Sequence, residues 1–227
     1  MHILIINPNT TAAMTATIAA AARTVAGSGT RITAMNPDEG PASIQGPEDG
    51  TAALPGLFKL FNTEVLQNGS YDAVVIACFD DTGLAELKAC SPVPVIGIGE
   101  AGFHAAMLVS QRFSIVTTLA VSIPVIEQNL SDYGFTGRCA VVRASGVPVL
   151  DLGSGAQDIA REIELALEED KPGAIVLGCA GMADLAAAMT EQFGLPVIDG
   201  VAAAVVLAEA LGRAGIGNSP APAEASP

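Results

Sequence analysis

Two cysteines occupy matching positions in two similar stretches of the sequence. Cys78 lies in YDAVVIACFDDTGL and Cys179 in KPGAIVLGCAGMADL, each directly after a run of β-branched apolar residues and before a helix-like segment. They are 101 residues apart (179 − 78), and the segments that follow, PVPVIGIGEA and GLPVIDGVAA, repeat at nearly the same interval. The pattern indicates two related halves, each of which contributes one thiol.

A pair of thiols in such positions could perform acid/base chemistry. A cysteine at a helix N-terminus has its thiolate stabilised by the helix dipole and by free backbone N–H groups, so we expect its pKa to fall toward neutrality. One thiolate could then remove a proton from a carbon acid while a second, neutral thiol returns a proton to the opposite face, which inverts the stereocentre. Backbone N–H groups of the same loops could stabilise the carbonyl oxygen that gains charge. This chemistry requires neither a metal nor a cofactor.

Short β-branched runs that alternate with Ala-rich helical stretches must position these thiols. The runs are HILII, RITAM, DAVVIA, PVIGI, FSIVTT, CAVVR, AIVLG and PVID. Alternation of this kind predicts βαβ units and parallel sheets, and continuous apolar runs indicate strands covered on both faces. Functional groups are then expected at the carboxyl ends of the strands, where both cysteines stand.

The predicted fold class is therefore α/β, with two pseudo-symmetric lobes, each a mostly parallel sheet flanked by helices; the family resemblance described below implies an active site in the cleft between them. We expect residues 1–98 together with 200–214 to form the first lobe and residues 99–199 to form the second. The segment 215–227 is small, polar and rich in proline, and we expect it to be a disordered tail.

Composition excludes several classes of function. The 227 residues carry a formal net charge of −14, so nucleic acid and anionic membrane surfaces would be repelled. No apolar run approaches the roughly 20 residues that span a bilayer, and the start of the chain lacks the pattern of a signal peptide, so we expect a cytoplasmic protein. The four cysteines lie at strand ends and in loops of a long, cytosolic-looking chain, which argues for reduced thiols. They show no CxxC spacing and there are only two histidines, which argues against structural zinc.

Seven motifs in order resemble one enzyme family. They are INPNTT, ACFDDTGL, PVIGIGEA, RFSIVTT, VRASGVPVL, LGCAGM and PVIDGVAAAV, and together they resemble the hydantoin racemase and allantoin racemase branch of the aspartate/glutamate racemase superfamily over about residues 2–212. The resemblance implies two α/β lobes that enclose the substrate and a cofactor-independent, two-base racemisation at C5 of a five-membered ureide ring. It makes Cys78 and Cys179 the catalytic acid/base pair, and it implies a small-molecule substrate and a homo-oligomer.

The resemblance also suggests which residues contact the substrate. They are Asn7 and Asn9 after the first strand, Ser43 in a loop that could reach the cleft, Phe79 and Asp80 beside the first cysteine, Thr117 and Thr118 at a strand end, and Gly181 and Met182 as backbone donors after the second cysteine. Alternatives remain open at this point. An Asn-Pro turn would explain the asparagines, helix capping would explain the threonines, and Ser43 could simply be solvated.

One position departs from the family pattern. The family usually has Cys-Phe-Gly-Asp-Pro-Gly around the first cysteine, whereas this chain has an aspartate, Asp80, in place of the first glycine and a threonine, Thr82, in place of the proline. A carboxylate there could raise the pKa of the thiol by like-charge repulsion or contact a polar substrate.

Glu100 and His104 form an ExxxH pair at helical spacing. The pair could bind a metal or relay a proton. Alternatively, Glu100 could complement the dipole at the start of a helix and His104 could be a surface histidine.

Several other functions fit parts of the sequence. An amino-acid racemase, a maleate-isomerase-like enzyme and an arylmalonate decarboxylase share the same superfamily scaffold. A non-catalytic small-molecule binding protein would also have two lobes and a cleft. The two cysteines could instead form a redox-sensing disulfide or be small buried hydrophobic side chains, whereas Cys90 and Cys139 have no counterparts and receive no role.

Overall fold

The structure, a computed structural model, describes residues 1–218. Residues 219–227, most of the predicted disordered tail, lie outside the described residues. Eight strands within residues 1–218 form two four-stranded sheets in which every strand pair is parallel. The first sheet contains β1 (His2–Ile6), β2 (Arg31–Met35), β3 (Ala73–Ile76) and β4 (Val95–Gly97), and the second contains β5 (Phe113–Thr117), β6 (Cys139–Ala144), β7 (Ala174–Gly178) and β8 (Val197–Asp199).

Helices connect and cover these strands. They are α1 (Ala12–Val25), α2 (Pro47–Phe61), α3 (Leu84–Cys90), α4 (Ile98–Val109), α5 (Ile123–Asp132), α6 (Ala156–Glu169), α7 (Ala186–Phe193) and α8 (Gly200–Arg213). A π-helical stretch, Asn62–Gln67, continues α2, and 3₁₀ segments span Ala120–Ser122, Val149–Ser154 and Ala180–Leu185. Among the described residues, no helix is both long enough and apolar enough to cross a lipid bilayer.

The two sheets have the same strand order. It is β2-β1-β3-β4 in the first and β6-β5-β7-β8 in the second, so each strand of one half has a counterpart in the other. The strands β3 and β7 are buried along their whole length, as their continuous apolar sequence predicts for strands covered on both faces. The predicted α/β fold with two parallel sheets flanked by helices is confirmed.

The last helix of each half packs across to the other half. Helix α4 follows β4 directly and contacts β7 of the second sheet, whereas α8 follows β8 and contacts α1 and β3 of the first. The two helices approach so closely that a Cβ on Gly200 would collide with the backbone oxygen of Ile98. One hydrophobic cluster therefore runs through both halves, with Ile5, Phe103 and Val176 among its members.

We propose that the chain divides into two lobes. The first lobe would comprise residues 1–98 together with 200–214, because α8 packs on α1 and β3. The second would comprise residues 99–199. At the start of the segment predicted to be a tail, Asn218 donates to the backbone oxygens of Lys88 and Ser91 at 3.0 and 2.8 Å.

Candidate active site

The two cysteines of the repeat line one cavity. Cys78 follows β3 and Cys179 follows β7, and the loops at the carboxyl ends of the two sheets enclose the space between them. The cavity has a volume of about 30 Å³, room for roughly two water molecules. A ligand larger than this therefore enters only when the lining loops separate. A larger cavity of about 810 Å³ lies away from both thiols, beside Met1, Tyr71 and Glu209.

Cys78 is half-buried, and its sulfur accepts two hydrogen bonds. Thr82 Oγ1 donates to its sulfur at 3.4 Å, and the backbone N–H of Asp80 donates to it as well. These donors favour the thiolate, but burial disfavours it more strongly, and the Asp80 carboxylate adds like-charge repulsion. The pKa of Cys78 is consequently raised well above that of an ordinary thiol.

Cys179 immediately precedes the 3₁₀ segment Ala180–Leu185. Its sulfur accepts a hydrogen bond from the backbone N–H of Gly181, the counterpart of the Asp80 N–H at Cys78. Burial nevertheless raises the pKa of Cys179 to about 11, and the charge of Asp80 contributes to the rise.

The expectation that a helix N-terminus lowers the pKa of these thiols to near 7 is therefore wrong. Helix α3 begins only at Leu84, six residues after Cys78, and the segment that follows Cys179 is a short 3₁₀ turn. Neither thiol stands at the first turn of an α-helix, where the dipole is felt most strongly. Burial in the closed cavity decides the protonation state, and both thiols are held neutral.

Asp80 is an acidic group without a cationic partner in this cavity. The lining, taken over residues 1–218, includes its side chain and no Lys, Arg or His. Burial raises the pKa of Asp80 to about 6, and a hydrogen bond with Ser122 opposes the rise. Its backbone oxygen accepts from Asn129 Nδ2 at 2.9 Å, so α5 of the second half holds the loop that carries Cys78. The Asp80 carboxyl thus acts electrostatically on both thiols.

The two asparagines after β1 have different positions. Asn9 lines the cavity, whereas Asn7 is almost fully buried behind it. Asn7 Nδ2 donates to Asn9 Oδ1 at 2.9 Å and to Thr15 Oγ1 at 3.0 Å. Asn7 therefore fixes the orientation of Asn9 and does not itself reach the cavity.

The two neighbouring threonines at the carboxyl end of β5 also differ. Both line the cavity, but the Thr117 hydroxyl donates to the backbone oxygen of Gly178 at 3.0 Å. The hydrogen bonds at Thr118 are made by its backbone oxygen, which accepts from Gly146 N at 2.8 Å and from Ser145 Oγ at 3.4 Å. This arrangement leaves the Thr118 hydroxyl for a ligand, while Thr117 supports the strand end that precedes Cys179.

Comparisons with known proteins identify the family. The Asp/Glu/hydantoin racemase family matches residues 3–208. This chain belongs to that family. It is 47% identical over 225 residues to a hydantoin racemase of Rhizobium meliloti, covering 96% of this chain and 92% of the relative. It is 39% identical over 218 residues to a hydantoin racemase of a Pseudomonas species, covering 93% and 86%.

Solved structures agree with this assignment. An allantoin racemase from Klebsiella pneumoniae superposes with a TM-score of 0.93 at 43% identity, covering 96% of this chain and 90% of the other. A glutamate racemase from Bacillus anthracis superposes with a TM-score of 0.66 at 18% identity, covering 96% and 84%. The second likeness concerns the fold alone. The family assignment made from the seven sequence motifs is confirmed.

Four other predicted contact residues of this racemase-family chain are placed differently. Phe79 lines the cavity, but its ring packs edge-on against Phe103 in the core. Ser43 is outside the lining, which its neighbour Ile44 joins instead. The N–H of Gly181 donates to Cys179 Sγ and that of Met182 to the backbone oxygen of Cys179, so both predicted donors serve the cysteine itself. The Met182 side chain is fully buried.

Sequence reasoning missed several residues of the lining. They are Met14, Ile44, Ala77, Ser122, Val149, Gly178 and Ala180. Ser122 had a usable signal, because it precedes Ile123 and Pro124, and a proline at a first helical turn marks a helix start in the loop after β5. Ala77, Val149, Gly178 and Ala180 lie within the quoted motifs, whereas Met14 and Ile44 belong to none and join the cavity through tertiary packing.

The ExxxH pair has a structural explanation. Glu100 forms an ion pair with Lys88 at 2.6 Å, and His104 Nδ1 lies 2.9 Å from the backbone oxygen of Glu100. Across the part of the chain that the structure describes, no group of three or more His, Cys, Asp or Glu side chains could hold a metal ion.

Proposed function

We propose that this protein racemises 5-monosubstituted hydantoins without a cofactor, with Cys78 and Cys179 as its acid/base pair. The observation that carries the proposal is that two thiols from equivalent loops of the two halves line one small cavity. Relatives of this chain that share 47% and 39% identity are named hydantoin racemases. The predicted cytoplasmic location and homo-oligomeric assembly belong to the same proposal.

The proposed reaction exchanges one proton on each side of C5. The thiolate of one cysteine takes the proton from C5, and the electron pair of the C–H bond moves toward the neighbouring carbonyl oxygen. The thiol of the other cysteine then gives its proton to the opposite face of C5 and becomes the thiolate. The enzyme is left with the roles of the two cysteines exchanged, and the reverse turnover restores them.

Burial of the two thiols suits this chemistry. A thiolate that is disfavoured by its surroundings is a stronger base once formed, and C5 of a hydantoin is a weak carbon acid. The hydrogen bonds from Thr82 and the Asp80 N–H to Cys78, and from the Gly181 N–H to Cys179, limit the loss of thiolate. One thiol must therefore lose its proton before it acts as the base, and these hydrogen bonds ease that step while the other thiol remains protonated.

The charge of the cavity favours a cyclic ureide over a free amino acid. A free amino acid brings an α-carboxylate, and aspartate or glutamate brings two, yet the lining, within the described residues, contains Asp80 and no cation. A hydantoin ring is uncharged and presents N–H donors and carbonyl acceptors. Asp80 can accept from such donors, and Asn9 and Thr118 offer further polar groups.

Allantoin is the second candidate substrate. Its 5-ureido group carries several N–H donors that a carboxylate such as Asp80 can accept. The Klebsiella pneumoniae structure that superposes with a TM-score of 0.93 is described as an allantoin racemase. Hydantoins with hydrocarbon substituents and allantoin should therefore be compared directly.

Exchange of the C5 proton in deuterated water tests the mechanism. Wild type, Cys78→Ala, Cys179→Ala and the control Cys90→Ala, whose thiol is exposed, are incubated with each enantiomer of 5-methylhydantoin and of allantoin. We expect both cavity variants to lose racemisation and each to retain exchange with one enantiomer only. Full exchange of both enantiomers by both cavity variants would contradict the two-thiol mechanism. A blank without enzyme corrects for spontaneous racemisation.

The exchange experiment and a separate thiol assay distinguish two further classes. A non-catalytic binding protein would show no exchange above the blank with any of these compounds. A redox sensor would form a Cys78 to Cys179 disulfide on mild oxidation, which mass spectrometry of alkylated peptides detects. All four cysteines are free thiols in the structure.

A further inference from the structure

The proposed reaction places negative charge on an oxygen that still lacks an assigned partner. When C5 of the ring loses its proton, the electron pair of the C–H bond moves toward C4, and the C4 oxygen gains the charge of an enolate. The cavity of the two thiols, within residues 1–218, is lined by no Lys, Arg or His. The two predicted backbone donors, Gly181 and Met182, serve Cys179 instead. Stabilisation of the enolate therefore falls to neutral donors of the lining.

Four residues of the lining carry a hydroxyl or amide donor, and two of these donors are occupied. The Thr117 hydroxyl donates to a backbone oxygen at 3.0 Å, and Ser122 forms a hydrogen bond with the Asp80 carboxyl. The Asn9 amide and the Thr118 hydroxyl remain. A hydroxyl can turn and either donate or accept, whereas an amide NH₂ group only donates. Asn9 is therefore the donor whose role is fixed by its chemistry.

Hydrogen bonds fix the direction of the Asn9 amide. Its Oδ1 accepts from Asn7 Nδ2 and from the backbone N–H of Thr11, both at 2.9 Å. A backbone N–H can only donate, so the bond from Thr11 identifies the oxygen end of the amide. Asn7 and Thr11 lie outside the lining, whereas Met14, the contact of Asn9 Nδ2, belongs to it. The NH₂ group of Asn9 therefore lies on the cavity side.

The NH₂ group of Asn9 is weakly paired for a buried donor. Asn9 is 4% exposed, and its Nδ2 donates to the Met14 sulfur at 3.3 Å. An amide nitrogen carries two protons, and a thioether sulfur is a weak acceptor. A charged oxygen is a much stronger acceptor than this sulfur. The donor therefore has more to gain from an enolate oxygen than from its present partner.

We propose that Asn9 Nδ2 donates a hydrogen bond to the C4 oxygen and that this bond strengthens as the oxygen gains negative charge. Asn9 is then a catalytic residue of the proposed racemisation, on which this inference rests. The amide itself transfers no proton. One sulfur takes the C5 proton, the electron pair moves to the C4 oxygen, and the pair returns to C5 when the other sulfur delivers its proton. Because the amide is already oriented, it needs no reorganisation during the reaction.

Sulfur in place of one carbonyl oxygen tests which atom of the ring Asn9 contacts. In 5-methyl-4-thiohydantoin sulfur replaces the C4 oxygen, and in 5-methyl-2-thiohydantoin it replaces the C2 oxygen, which does not carry the enolate charge. Sulfur accepts hydrogen bonds more weakly than oxygen. Loss of the Asn9 donor should consequently matter less for the 4-thio compound than for the other two substrates.

Two variants remove the Asn9 donor, and a third serves as the control. Asn9→Ala removes the whole amide, whereas Asn9→Ser keeps an oxygen that can accept from the Thr11 N–H and so preserves the local turn. Asn36→Ala is the matched control. Asn36 accepts from Thr15 Oγ1 at 2.8 Å, and Thr15 in turn accepts from Asn7, so Asn36 belongs to the same network but lies outside the cavity lining.

The readout is kcat and KM for racemisation of 5-methylhydantoin and its two thio analogues, each corrected by a blank without enzyme. For 5-methylhydantoin and the 2-thio compound, we expect kcat of both Asn9 variants to fall about 100-fold with little change in KM, because the lost bond forms mainly in the transition state. The loss should shrink to about tenfold or less for the 4-thio compound. Asn36→Ala should change kcat by the same factor for all three substrates.

The substrates separate a catalytic role from a structural one. An equal loss with all three substrates, or no loss, in Asn9 variants with wild-type circular dichroism would overturn the inference. A loss that shrinks only for the 2-thio compound would place Asn9 at the C2 oxygen and would overturn it as well. Failure of wild type to racemise 5-methylhydantoin would instead overturn the proposed function.

Discussion

The hydroxyl of Thr82 donates a hydrogen bond to the sulfur of Cys78 across 3.4 Å. This bond lowers the pKa of Cys78, against the opposing effects of burial and of the Asp80 charge. Thr82 itself is buried, with 8% exposure, so water cannot replace the donor readily. Thr82, which lies outside the cavity lining, therefore influences the pKa of a thiol within it.

Replacement of Thr82 by valine should weaken the proposed acid/base pair. Thr82→Val keeps the shape of the side chain but removes the donor, so the pKa of Cys78 rises and less thiolate forms. We expect kcat/KM to fall about tenfold, consistent with loss of a hydrogen bond to a charged group. The fall should be equal in both directions, because the two enantiomers have equal free energy. Thr82→Ser keeps the hydroxyl and should restore the rate. If Thr82→Val is as active as wild type, the hydrogen bond from Thr82 to Cys78 does not support catalysis.

Asp80→Asn should make both cavity thiols more reactive. The Asp80 carboxylate raises the pKa of Cys78 and of Cys179, so its neutral replacement lowers both values. The pKa of Asp80 is about 6. Wild type therefore carries the charge at pH 8 and largely loses it at pH 5, and the two proteins should differ only at the higher pH. We expect about tenfold faster thiol labelling at pH 8 in the variant.

Mass spectrometry after labelling with methyl methanethiosulfonate measures this difference at each cysteine. The exposed Cys90 provides an internal control, since its labelling should be the same in both proteins. Equal labelling of Cys78 and Cys179 at pH 8 in wild type and variant would show that the Asp80 charge does not reach them.

The parts of this fold that follow from local sequence were predictable. Continuous apolar runs such as those of β3 and β7 can be recognised without tertiary information, and parallel strands bring their carboxyl ends together. This is why Cys78, Cys179, Asn9, Thr117 and Thr118 could be assigned to one cavity before the fold was known. The repeat of 101 residues supplied the symmetry.

Properties set by tertiary packing could not be predicted in the same way. The pKa values of the thiols depend on how deeply they are buried, which no spacing reveals. The two asparagines after β1 are two positions apart, yet one lines the cavity and the other is buried behind it. Met14 and Val149 join the site only because α1 and a 3₁₀ segment meet there.

Asp81 should limit which residues the start of α4 accepts. It has a left-handed backbone (φ +49°), and its carboxylate accepts from Gly99 N at 3.0 Å and Glu100 N at 2.8 Å. It thereby caps a helix across the loop that carries Cys78. A Cβ on Gly97 would collide with this carboxylate. We expect Gly97→Ala to reduce the free energy of unfolding by about 2 kcal/mol.

Urea unfolding of Gly97→Ala beside Gly137→Ala checks the cap. Gly137 has no other atom within 4 Å of its Cβ position, so the same substitution there should change stability little. If the two alanine variants unfold at the same urea concentration, the contact between Asp81 and the start of α4 does not constrain the fold.

Replacement by valine should lower stability at Thr117 but lower catalytic activity at Thr118. The Thr117 hydroxyl donates to the Gly178 oxygen, which directly precedes Cys179, so Thr117→Val leaves a buried acceptor unpaired and should lower the free energy of unfolding by about 1–3 kcal/mol. Thr118 makes its hydrogen bonds through its backbone, so Thr118→Val should keep the stability of wild type.

The difference should also appear in catalysis. If the Thr118 hydroxyl contacts the ring, Thr118→Val lowers kcat/KM for 5-methylhydantoin about tenfold, as expected when a hydrogen bond to the substrate is lost. Thr118→Ser retains the hydroxyl and should recover most of the rate. Each valine variant is the matched control for the other, because the residues are adjacent, buried and of the same type. Wild-type kinetics in Thr118→Val would remove this residue from the substrate site and leave Thr117 as a purely structural neighbour of Cys179.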